Sequence, residues 1–370
     1  MDEVLLAERL IAYDTSRRTG IGQATDFVAG WLEARGASVE SLETGGRRSL
    51  VARVGAGPTR LVLHGHIDVV PGHPEQFTPR IEGGRLFGRG SYDMKAALGA
   101  MMLAVADLAT DDLGGLVVEL IVVPDEERSE PGENCTQMMV HGGLRADFVV
   151  CGEPTDMRVG VQAKGVLLVR VDVEGTAAHG ATPWLGENAV LRAVDLYRRI
   201  STLPFAGESA PLFERPSINL GRITGGDAVN KVPDACRMEV DLRYLPTQSP
   251  DEVLRQVRSL DPRARVEVLL QRPPADVSPD HVLVQTLLDA ASRYEPSTTS
   301  VGRDGASDAV AFLEVGVPAV EFGPRGAGHH GPEEYVEIES LPRYRRALAD
   351  FARMMAELPA PTAGSEAGAR

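Results

Sequence analysis

The sequence predicts an α/β fold: a mostly parallel sheet with helices on both faces, into which a smaller α+β unit is inserted. Short apolar segments alternate with helical segments in the first 160 or so residues, and parallel strands buried on both faces have this composition. From about residue 164 the strands alternate apolar and polar residues, which is typical of half-exposed antiparallel strands. The parallel character returns near the C-terminus, so the second unit interrupts the first.

The first part of the chain begins with two predicted helices, over residues 3–12 and 24–35, and Gly36 caps the second. Strands are predicted where apolar runs occur, in SLVARV, LVLHGHIDVV, LVVELIVV and ADFVVCG. Between the second and third of these runs, DMKAALGAMMLAVADLA has helical spacing. Alternating strands and helices are typical of a parallel sheet covered by helices.

The inserted unit is predicted to contain antiparallel strands in VLLVRVDVEG, SINLGRITGG and CRMEVDLRYLP, with helices over 187–201 and 250–260. After RPPADVSP the chain returns to helical and parallel-strand patterns. These are helices over 280–293 and 307–315, the strand VPAVEFG, and a last helix from 341 to about 357.

These patterns define the expected domains. Residues 1–163 and 274–358 are expected to form the main domain, and 164–273 the inserted domain. The final segment, 359–370, reads PAPTAGSEAGAR, which is small, polar and rich in Pro and Gly. Such a segment cannot bury enough apolar surface to fold, so we expect a disordered tail.

Composition excludes several classes of protein. The 53 acidic residues against 38 Lys and Arg give a formal net charge of −15, which disfavours nucleic acid or an anionic membrane as a partner. No apolar run approaches the roughly 18 residues of a membrane span, and the start, MDEVLLAERL, is acidic, unlike an export signal. Cys135, Cys151 and Cys236 are widely spaced, which is typical of free thiols in a reducing compartment. We therefore expect a cytoplasmic protein.

Side chains that commonly bind metals follow four of the predicted strands. In open parallel sheets, ligands bind outside the carboxyl ends of the strands. Each candidate alone has a structural explanation, as a buried histidine, a solvated loop acid or a helix cap. Their convergence on one edge of one sheet favours a metal site. The candidates are His64, His66, Asp68, Asp125, Glu126, Glu127, Glu153, His329 and His330, with Asp93 at a helix start.

The residue types constrain the metal. Imidazoles and carboxylates without thiolates suit zinc, manganese or cobalt, and hydrolytic chemistry. Three carboxylates would leave excess buried negative charge against one dication, whereas two dications and a bridging hydroxide balance them. We therefore expect two divalent metal ions, most simply zinc, with cobalt or manganese as alternatives.

A family resemblance rests on motifs spread over nearly the whole chain: HGHIDVVP, GRGSYDMKAALGAM, PDEE, CGEPT, GTAAHGATPWLGENAV, GGDAVNKVPDACRMEVDLRYLP and HHGPEEYVEI. Together they resemble the co-catalytic zinc amidohydrolases and metallopeptidases. This is the family of acetylornithine deacetylase, succinyl-diaminopimelate desuccinylase, aminoacylase and glutamate carboxypeptidase. The resemblance implies a two-metal hydrolase that cleaves an amide bond next to a carboxylate. Its substrate would be an N-acyl amino acid or a short peptide, so deacylase and dipeptidase or carboxypeptidase activity both fit.

The resemblance also implies roles for the candidates. Asp93 would bridge the two metals, and Asp68 would orient a ligand imidazole. Glu126 would be the general base, which takes a proton from water and later gives it to the leaving amine. The metal ligands would be His66, Asp93, Glu127, Glu153 and His330.

His330 is chosen over His329 because the family pattern His-x-x-Asn-Glu-Tyr aligns with residues 330–335. Glu333 stands where asparagine is common, and we expect it to alter the charge around the ligands. His64 remains a surplus candidate, because it should lie on the same strand face as His66.

In this family the inserted unit is a dimerisation and lid domain, so the resemblance implies a homodimer. His179 resembles a histidine that reaches across the dimer to stabilise the tetrahedral oxyanion, although Gly180 stands where serine is frequent.

Three further residues resemble substrate-binding positions of the family. Asn230 and Arg243 resemble residues that grip the substrate carboxylate, for which a guanidinium fork is well shaped. A surface strand arginine is the alternative reading of Arg243. Ser307, with Asp308, fits the pre-helix substrate loop, while Asp308 could also be an acid that favours a helix start.

Other function classes fit less well. Gly326-x-Gly328-x-x-Gly331 matches a dinucleotide fingerprint, but a proline and two glutamates follow where an apolar helix should begin. Residues 305–309 only approach the G-x-S-x-G of serine hydrolases. A non-catalytic metal-binding relative would be expected to lack Glu126 or the bridging acid, and both are present.

Overall fold

The computed structural model describes residues 2–127, 132–305 and 307–358, so the predicted disordered tail, 359–370, lies outside the described residues. In these ranges the chain forms nine α-helices. They are α1 (Asp2–Ile11), α2 (Arg18–Glu33), α3 (Lys95–Leu108), α4 (Cys135–His141), α5 (Ala189–Ile200), α6 (Pro250–Ser259), α7 (Val282–Ser292), α8 (Ala309–Glu314) and α9 (Ser340–Glu357).

The same ranges contain seventeen β-strands. They are β1 (Ser38–Thr44), β2 (Arg47–Gly55), β3 (Thr59–His66), β4 (Arg80–Glu82), β5 (Arg85–Phe87), β6 (Leu116–Val123), β7 (Phe148–Cys151), β8 (Val159–Ala163), β9 (Gly165–Glu174), β10 (Ser217–Gly225), β11 (Ala235–Tyr244), β12 (Arg265–Arg272), β13 (Ala275–Asp276), β14 (Ser300–Arg303), β15 (Ala319–Glu321), β16 (Gly326–Ala327) and β17 (Tyr335–Glu337).

The described chain divides into two compact units. Unit 1 contains the residues up to Val161, then Val277–Val301, then the chain from Ser307 onward. Unit 2 contains Gln162–Asp276 and, of the described residues, 302–305. The apolar periodicity did not predict that residues 302–305 belong to unit 2.

The large sheet of unit 1 has the strand order β1-β2-β6-β3-β7-β15-β8. Its centre is parallel, because β3 pairs in parallel with both β6 and β7, and β7 with β15. The predicted α/β class with a mainly parallel sheet is therefore confirmed. The core strand β6 is buried along its whole length, as expected for a strand covered on both faces.

The expectation that SLVARV belongs to the parallel strands is wrong. These residues lie in β2, which pairs antiparallel with both β1 and β6. The cause is the two-residue turn at Gly45 and Gly46, whose φ angles are 57° and 71°. Two consecutive residues with positive φ form a tight hairpin turn that only antiparallel strands can use.

Helix α3 is the central helix of unit 1, and twelve of its residues, among them Lys95 and every residue from Ala96 to Val105, are buried. A helix that is apolar on all sides belongs inside a protein. It packs against α1 and α9, and it starts two residues after Asp93, so the buried helix fixes where that carboxylate emerges.

A small antiparallel sheet in unit 1, with the order β16-β17-β5-β4, joins two distant parts of the sequence. Its strands β5 and β17 pair Phe87 with Tyr335. The segments that carry Asp93 and His330 both leave this sheet. The glycine-rich residues 326–331 form β16 and a turn here, not the start of a helix.

Unit 2 is an antiparallel sheet of order β10-β11-β9-β12 covered by helices. Its core is formed by the inward residues of the strands with α5 and α6, including Val169, Met238, Leu196 and Val253. The other sheet face is charged and partly exposed. There Arg170 lies near Glu239 and Glu267, and Arg237 contacts Asp172. This is the half-exposed pattern predicted for antiparallel strands.

Within the described residues, no helix combines the length and the apolar composition needed to cross a membrane.

Candidate metal centre

The predicted metal-type side chains emerge from neighbouring strands of the large sheet. His66 is the last residue of β3, and it lies opposite Val123, the last residue of β6. His64, two residues earlier in β3, lies opposite Cys151 at the end of β7. Because these three strands are parallel, their carboxyl ends meet, and the segments that follow them bring Glu126, Glu127 and Glu153 to one edge.

Three of the predicted ligands form a compact group. One ligand atom each from His66, Asp93 and Glu127 lie within 4.8 Å of one another. The carboxylate of Asp93 lies between two imidazoles, with Oδ1 3.1 Å from Nε2 of His66 and Oδ2 3.4 Å from Nε2 of His330. Nε2 of His330 is also 2.8 Å from Oε1 of Glu127. This places Asp93 in a position to serve two ions.

Asp68 connects the two strand ends behind this group. Nδ1 of His66 is 3.0 Å from the backbone oxygen of Asp68 and 3.6 Å from its carboxylate. The same carboxylate accepts the backbone N–H groups of Glu126, at 3.3 Å, and Glu127, at 3.0 Å. Asp68 therefore orients the imidazole mainly through its backbone, and its carboxylate holds the segment with the two glutamates.

Two carboxyl groups at the site lie in surroundings that disfavour their ionised form. Oε1 of Glu153 is buried and has no hydrogen-bond partner among the described residues. Burial, and then the charge of Asp93, hold the pKa of Glu153 well above its usual value. Burial also raises the pKa of Glu126 strongly; the carboxylates of Asp308 and Glu127 add to this shift while His66 opposes it.

The histidines supply the positive charge that these acids lack. Burial lowers the pKa of His66, but its hydrogen bonds with Asp68 and Asp93 outweigh burial and hold the pKa well above its usual value. Hydrogen bonds with Asp93 and Glu127 raise the pKa of His330 to about 10. Burial opposes ionisation of Asp93, but the two imidazoles hold its pKa below the usual range.

The donor set fits divalent metal ions. In this structure the two imidazoles contact carboxylates in their protonated form. A bound dication would replace the protons, and the neutral imidazoles would then bind it from the same positions. Oxygen and imidazole donors without thiolates match zinc, manganese or cobalt. The orphaned oxygen of Glu153 gives an independent reason, because an unpaired buried carboxylate is costly unless a cation compensates it.

His64 does not join the group. Its ring is 1% exposed, and Nε2 is 2.9 Å from Oγ1 of Thr136 and 3.5 Å from Oδ2 of Asp308. Burial lowers its pKa to about 4, so the ring is a neutral structural histidine. Its side chain binds a neighbouring helix instead of facing the ligands.

Asp308 has a structural role that its sequence position did not indicate. It precedes α8 but makes no capping hydrogen bond to that helix. Its carboxylate instead accepts hydrogen bonds from the Thr136 hydroxyl and, at 2.6 Å, from Nδ2 of Asn134. Asn134 caps α4, so Asp308 ties together the starts of two helices. An acidic residue that favours the start of a helix and a buried acidic residue that links two helices look the same in the sequence. Only the fold distinguishes the two roles.

Glu333 lies away from the ligands, whereas the ring of His329 lies beside the ring of His330, 5.1 Å between ring centres. Glu333 has a 74% exposed side chain and pairs with Nη2 of Arg80 at 3.0 Å. The expectation that it changes the charge around the ligands is therefore wrong, because the turn directs it outward. The ring of His329 is exposed and lies edge-on to Tyr92, 6.3 Å between ring centres.

The predicted residues of unit 2 lie on its loops and outer face. His179 is exposed, and its Nδ1 accepts the N–H of Ala181 at 3.0 Å. This hydrogen bond assigns the proton to Nε2, so the ring presents a donor. Gly180 donates to the carbonyl of Asn230 at 2.7 Å, and a Cβ at Gly180 would lie 2.9 Å from that carbonyl. The close approach explains why glycine stands where the family often has serine.

Arg243 and Ser307 already have protein partners. Nε and Nη2 of Arg243 bind both oxygens of Asp241, at 2.8 and 3.0 Å. A substrate carboxylate would have to replace or share this contact. Ser307 is 6% exposed, and its hydroxyl accepts the N–H of Ala309 at 3.3 Å, at the start of α8. Asn230 is exposed on the loop beside His179.

Comparison with known proteins places these features in a family. Residues 62–354 match the family model described as Peptidase family M20/M25/M40. The chain is 31% identical over 373 residues to a succinyl-diaminopimelate desuccinylase of Sphingopyxis alaskensis, covering 93% of this chain and 95% of that protein. It is 31% identical over 369 residues to an acetylornithine deacetylase of Myxococcus xanthus, covering 92% and 94% of the two chains.

Solved structures share the fold. A tripeptidase from Staphylococcus aureus superposes with a TM-score of 0.79 at 20% identity, covering 96% of this chain and 98% of that chain. An M20 family metallo-carboxypeptidase from Sulfolobus solfataricus superposes with a TM-score of 0.78 at 17% identity, covering 97% and 100%.

Proposed function

Because the chain belongs to peptidase family M20/M25/M40, we propose that it is a two-metal hydrolase that cleaves an amide bond next to a carboxylate, in the manner of an N-acyl-amino-acid deacylase. The observation that carries this proposal is the placement of Asp93 between the imidazoles of His66 and His330. Relatives named deacetylase and desuccinylase, of which this chain covers more than nine tenths, support the deacylase reading.

Two alternatives remain open to experiment. The first is a dipeptidase or carboxypeptidase of the same family, since tripeptidase and carboxypeptidase structures share the fold. The second is a metal-binding relative without catalytic activity. The presence of both Glu126 and Asp93 argues against the second, because a non-catalytic protein has no need of a general base.

In this proposal His66 and Glu153 would hold one metal, Glu127 and His330 would hold the other, and Asp93 would serve both. The contact between His330 and Glu127 at 2.8 Å supports the second pair. The buried and unpaired Oε1 of Glu153 supports its place among the ligands. Bound dications of this type lower the pKa of water and polarise a carbonyl group. Zinc fits this donor set most simply, and cobalt or manganese are alternatives.

Glu126 is assigned the proton transfers. It takes a proton from the attacking water and delivers it to the amine nitrogen as the amide bond breaks. Burial raises its pKa well above the usual value, which brings the carboxyl group closer to the pH at which it must both accept and donate. Asp68 supports this role, because its carboxylate holds the backbone of Glu126.

Residues of unit 2 are assigned the oxyanion contact and the binding of the substrate carboxylate, and Ser307 of unit 1 is assigned to the substrate loop. In the mechanism that the resemblance implies, the Nε2–H of His179 donates to the tetrahedral oxyanion of the partner subunit's site. Asn230 and Arg243 bind the substrate carboxylate, and Ser307 lines the substrate loop. The substrate is an N-acyl amino acid or a short peptide.

A homodimer formed through unit 2 accounts for two exposed features of that unit. Strand β10 is a sheet edge, and such edges commonly pair with another chain. Leu191 of α5 and Ile223 of β10 are 67% and 38% exposed, and exposed apolar residues near an edge favour association.

The three buried free cysteines suit a reducing cytoplasm.

The proposal is tested by metal analysis and a substrate panel. Elemental analysis of the purified protein should find close to two transition-metal ions per chain, and chelation should abolish hydrolysis that zinc, cobalt or manganese then restores. N-acetyl, N-succinyl and N-formyl amino acids are assayed beside dipeptides. A preference for acyl amino acids supports the deacylase, whereas a preference for dipeptides supports the peptidase. Absence of both bound metal and metal-activated hydrolysis would reject the enzyme.

A further inference from the structure

A buried ion pair lies directly behind the group of ligands. Arg89 and Glu334 are 3% and 1% exposed, and Nη1 of Arg89 donates to Oε2 of Glu334 at 2.7 Å. Taking two charges out of water is costly, so a buried pair of this kind stabilises a fold less than apolar residues of similar size would. Stability alone therefore does not explain why the protein buries Arg89 and Glu334.

The carboxylate of Glu334 holds the backbone that leads to Asp93. Its Oε1 accepts the N–H groups of both Tyr92 and Asp93, each at 3.0 Å. These two peptide groups directly precede the carboxylate proposed to bridge the metals. Glu334 thus fixes the point from which the Asp93 side chain projects.

The guanidinium of Arg89 holds the backbone of His330. Its Nη2 donates to the carbonyl oxygen of His330 at 3.1 Å. His330 has a φ of 63°, which is uncommon for a residue other than glycine. Its side chain is 47% exposed, so packing constrains the ring only in part. The position of the imidazole therefore depends on its backbone.

A second contact ties the same two segments together. Nε2 of Gln76 donates to the carbonyls of Gly331, at 3.1 Å, and Pro332, at 3.3 Å. The N–H of Arg89 in turn donates to the carbonyl of Gln76 at 2.8 Å. The turn that carries His330 is thus held from the Asp93 side of the site at several points.

We propose that Arg89 and Glu334 are positioning residues that set the separation between Asp93 and His330, and so determine the affinity of the metal that those two side chains share with Glu127. This inference rests on the proposed two-metal function. One guanidinium spans both halves: one nitrogen binds the carboxylate that holds Asp93, and the other binds the carbonyl of His330. The rigid fork of arginine suits this double contact, because two separate nitrogens donate in fixed directions, whereas lysine offers a single nitrogen on a flexible side chain. Among the described residues, neither His66 nor Glu153 is hydrogen-bonded to the pair, so Asp93 is the one assigned ligand of the other metal that the pair positions, and that metal should depend less on it.

The chain offers a matched control next to Glu334. Glu333 is its sequence neighbour but has a 74% exposed side chain that pairs with Arg80 at the surface. Glu334→Gln keeps the size of the side chain and one acceptor oxygen but loses the charge that Arg89 binds. Glu333→Gln makes the same chemical change outside the buried contacts. Arg89→Lys keeps the positive charge but replaces the two nitrogens that bind Glu334 and His330 with a single nitrogen, so it loses the fixed geometry of the double contact.

The experiment titrates the metal-free full-length protein with Zn²⁺ by calorimetry and counts bound metal by elemental analysis during stepwise chelation. For Glu334→Gln we expect the affinity of one of the two equivalents to fall by about 10- to 100-fold, the range seen when residues that orient ligands are changed. The other equivalent should change by less than about threefold, and Glu333→Gln should bind both as the wild type does. Visible absorption of Co²⁺ added at one and two equivalents should show the same selective loss.

The outcomes separate this inference from the proposed function. Two tight equivalents in Glu334→Gln, or equal weakening of both, would overturn the positioning role while leaving the two-metal hydrolase intact. A wild-type protein that binds fewer than two equivalents would overturn both. If circular dichroism shows that Glu334→Gln does not fold, Arg89→Lys decides, since it should show the same selective loss. Unchanged binding of both equivalents by that variant would also refute the proposal.

Discussion

The edge of the large sheet in unit 1 and the loop end of unit 2 differ in how they hold their chemical groups. At the sheet edge, His66 is fully buried and Asp93 nearly so, and each side chain contacts another member of the group. On the loops of unit 2, His179 and Asn230 are exposed, and the donor Nε2–H of His179 points to no acceptor among the described residues. The first region holds its groups in a compact cluster, and the second presents exposed groups that, in our proposal, meet the substrate or a partner subunit.

The difference indicates which region supports metal binding and which supports contact with the substrate or a second subunit in the proposed reaction. Metal ligands must be held within a few tenths of an ångström. The proposed ligands accordingly follow buried strands, precede the buried helix α3 or, for His330, lie on a turn that Arg89 and Gln76 hold by hydrogen bonds. Groups that meet the substrate or a second subunit must stay accessible, so they lie on loops. Substitutions in the first region should therefore change the chemistry, and those in the second should change oxyanion stabilisation or substrate binding.

The largest expected effect is at the sheet edge. Glu126→Gln removes proton transfer while keeping the side-chain size, so turnover should fall by about 10²- to 10⁴-fold. Metal content should stay near that of the wild type, because Glu126 is not an assigned ligand. Glu133→Gln is the control, since Glu133 has a 54% exposed side chain that pairs with His141 at the surface. Near-normal turnover of Glu126→Gln would remove it from the base role.

A smaller effect is expected on the loops of unit 2. His179→Ala should lower turnover by about 10²- to 10³-fold, the range for loss of one oxyanion donor, with both metals still bound. Mixing this variant with Glu126→Gln tests whether the histidine acts across a dimer. Half of the re-formed dimers would be mixed and would carry one intact site of two, so about a quarter of wild-type activity should return. No recovery after verified subunit exchange would place the histidine in its own subunit's site.

The smallest effect is expected at the strand arginine. Arg243→Ala should raise KM on the order of tenfold with kcat little changed, because the contact to a substrate carboxylate is the same before and during reaction. Arg222→Ala, which removes a 72% exposed arginine paired with Glu239 on the same sheet, serves as control. An unchanged KM for Arg243→Ala would show that the guanidinium only binds Asp241.

Much of the fold followed from local patterns. The apolar run LVVELIVV forms β6 over the predicted residues, and the predicted helix from 341 to about 357 is α9. Strands with weak patterns were missed, such as β4, β5 and β16, because each is only two or three residues long, and β5 also pairs with the distant strand β17. The antiparallel direction of β2 was also not predicted. A diglycine turn determines it, and an apolar run has the same composition in a parallel and in an antiparallel strand.

The candidate site was likewise predictable in part from sequence motifs and in part only from the folded structure. The types and order of His66, Asp93, Glu127 and His330 could be read from motifs after strands, since the carboxyl ends of parallel strands converge. The Arg89–Glu334 pair and the tie made by Asp308 could not be read, because each joins segments more than 150 residues apart.

By itself, the sequence determined the fold class, the family and the set of metal-type side chains, because strand-end chemistry and apolar periodicity are local properties of a chain. Only the tertiary structure decided which carboxylate lies between two imidazoles and which glutamate of the pair 333–334 is buried. It also decided that His64 is structural. These distinctions depend on burial and on distances between remote segments, and a side chain acquires both only when the chain has folded.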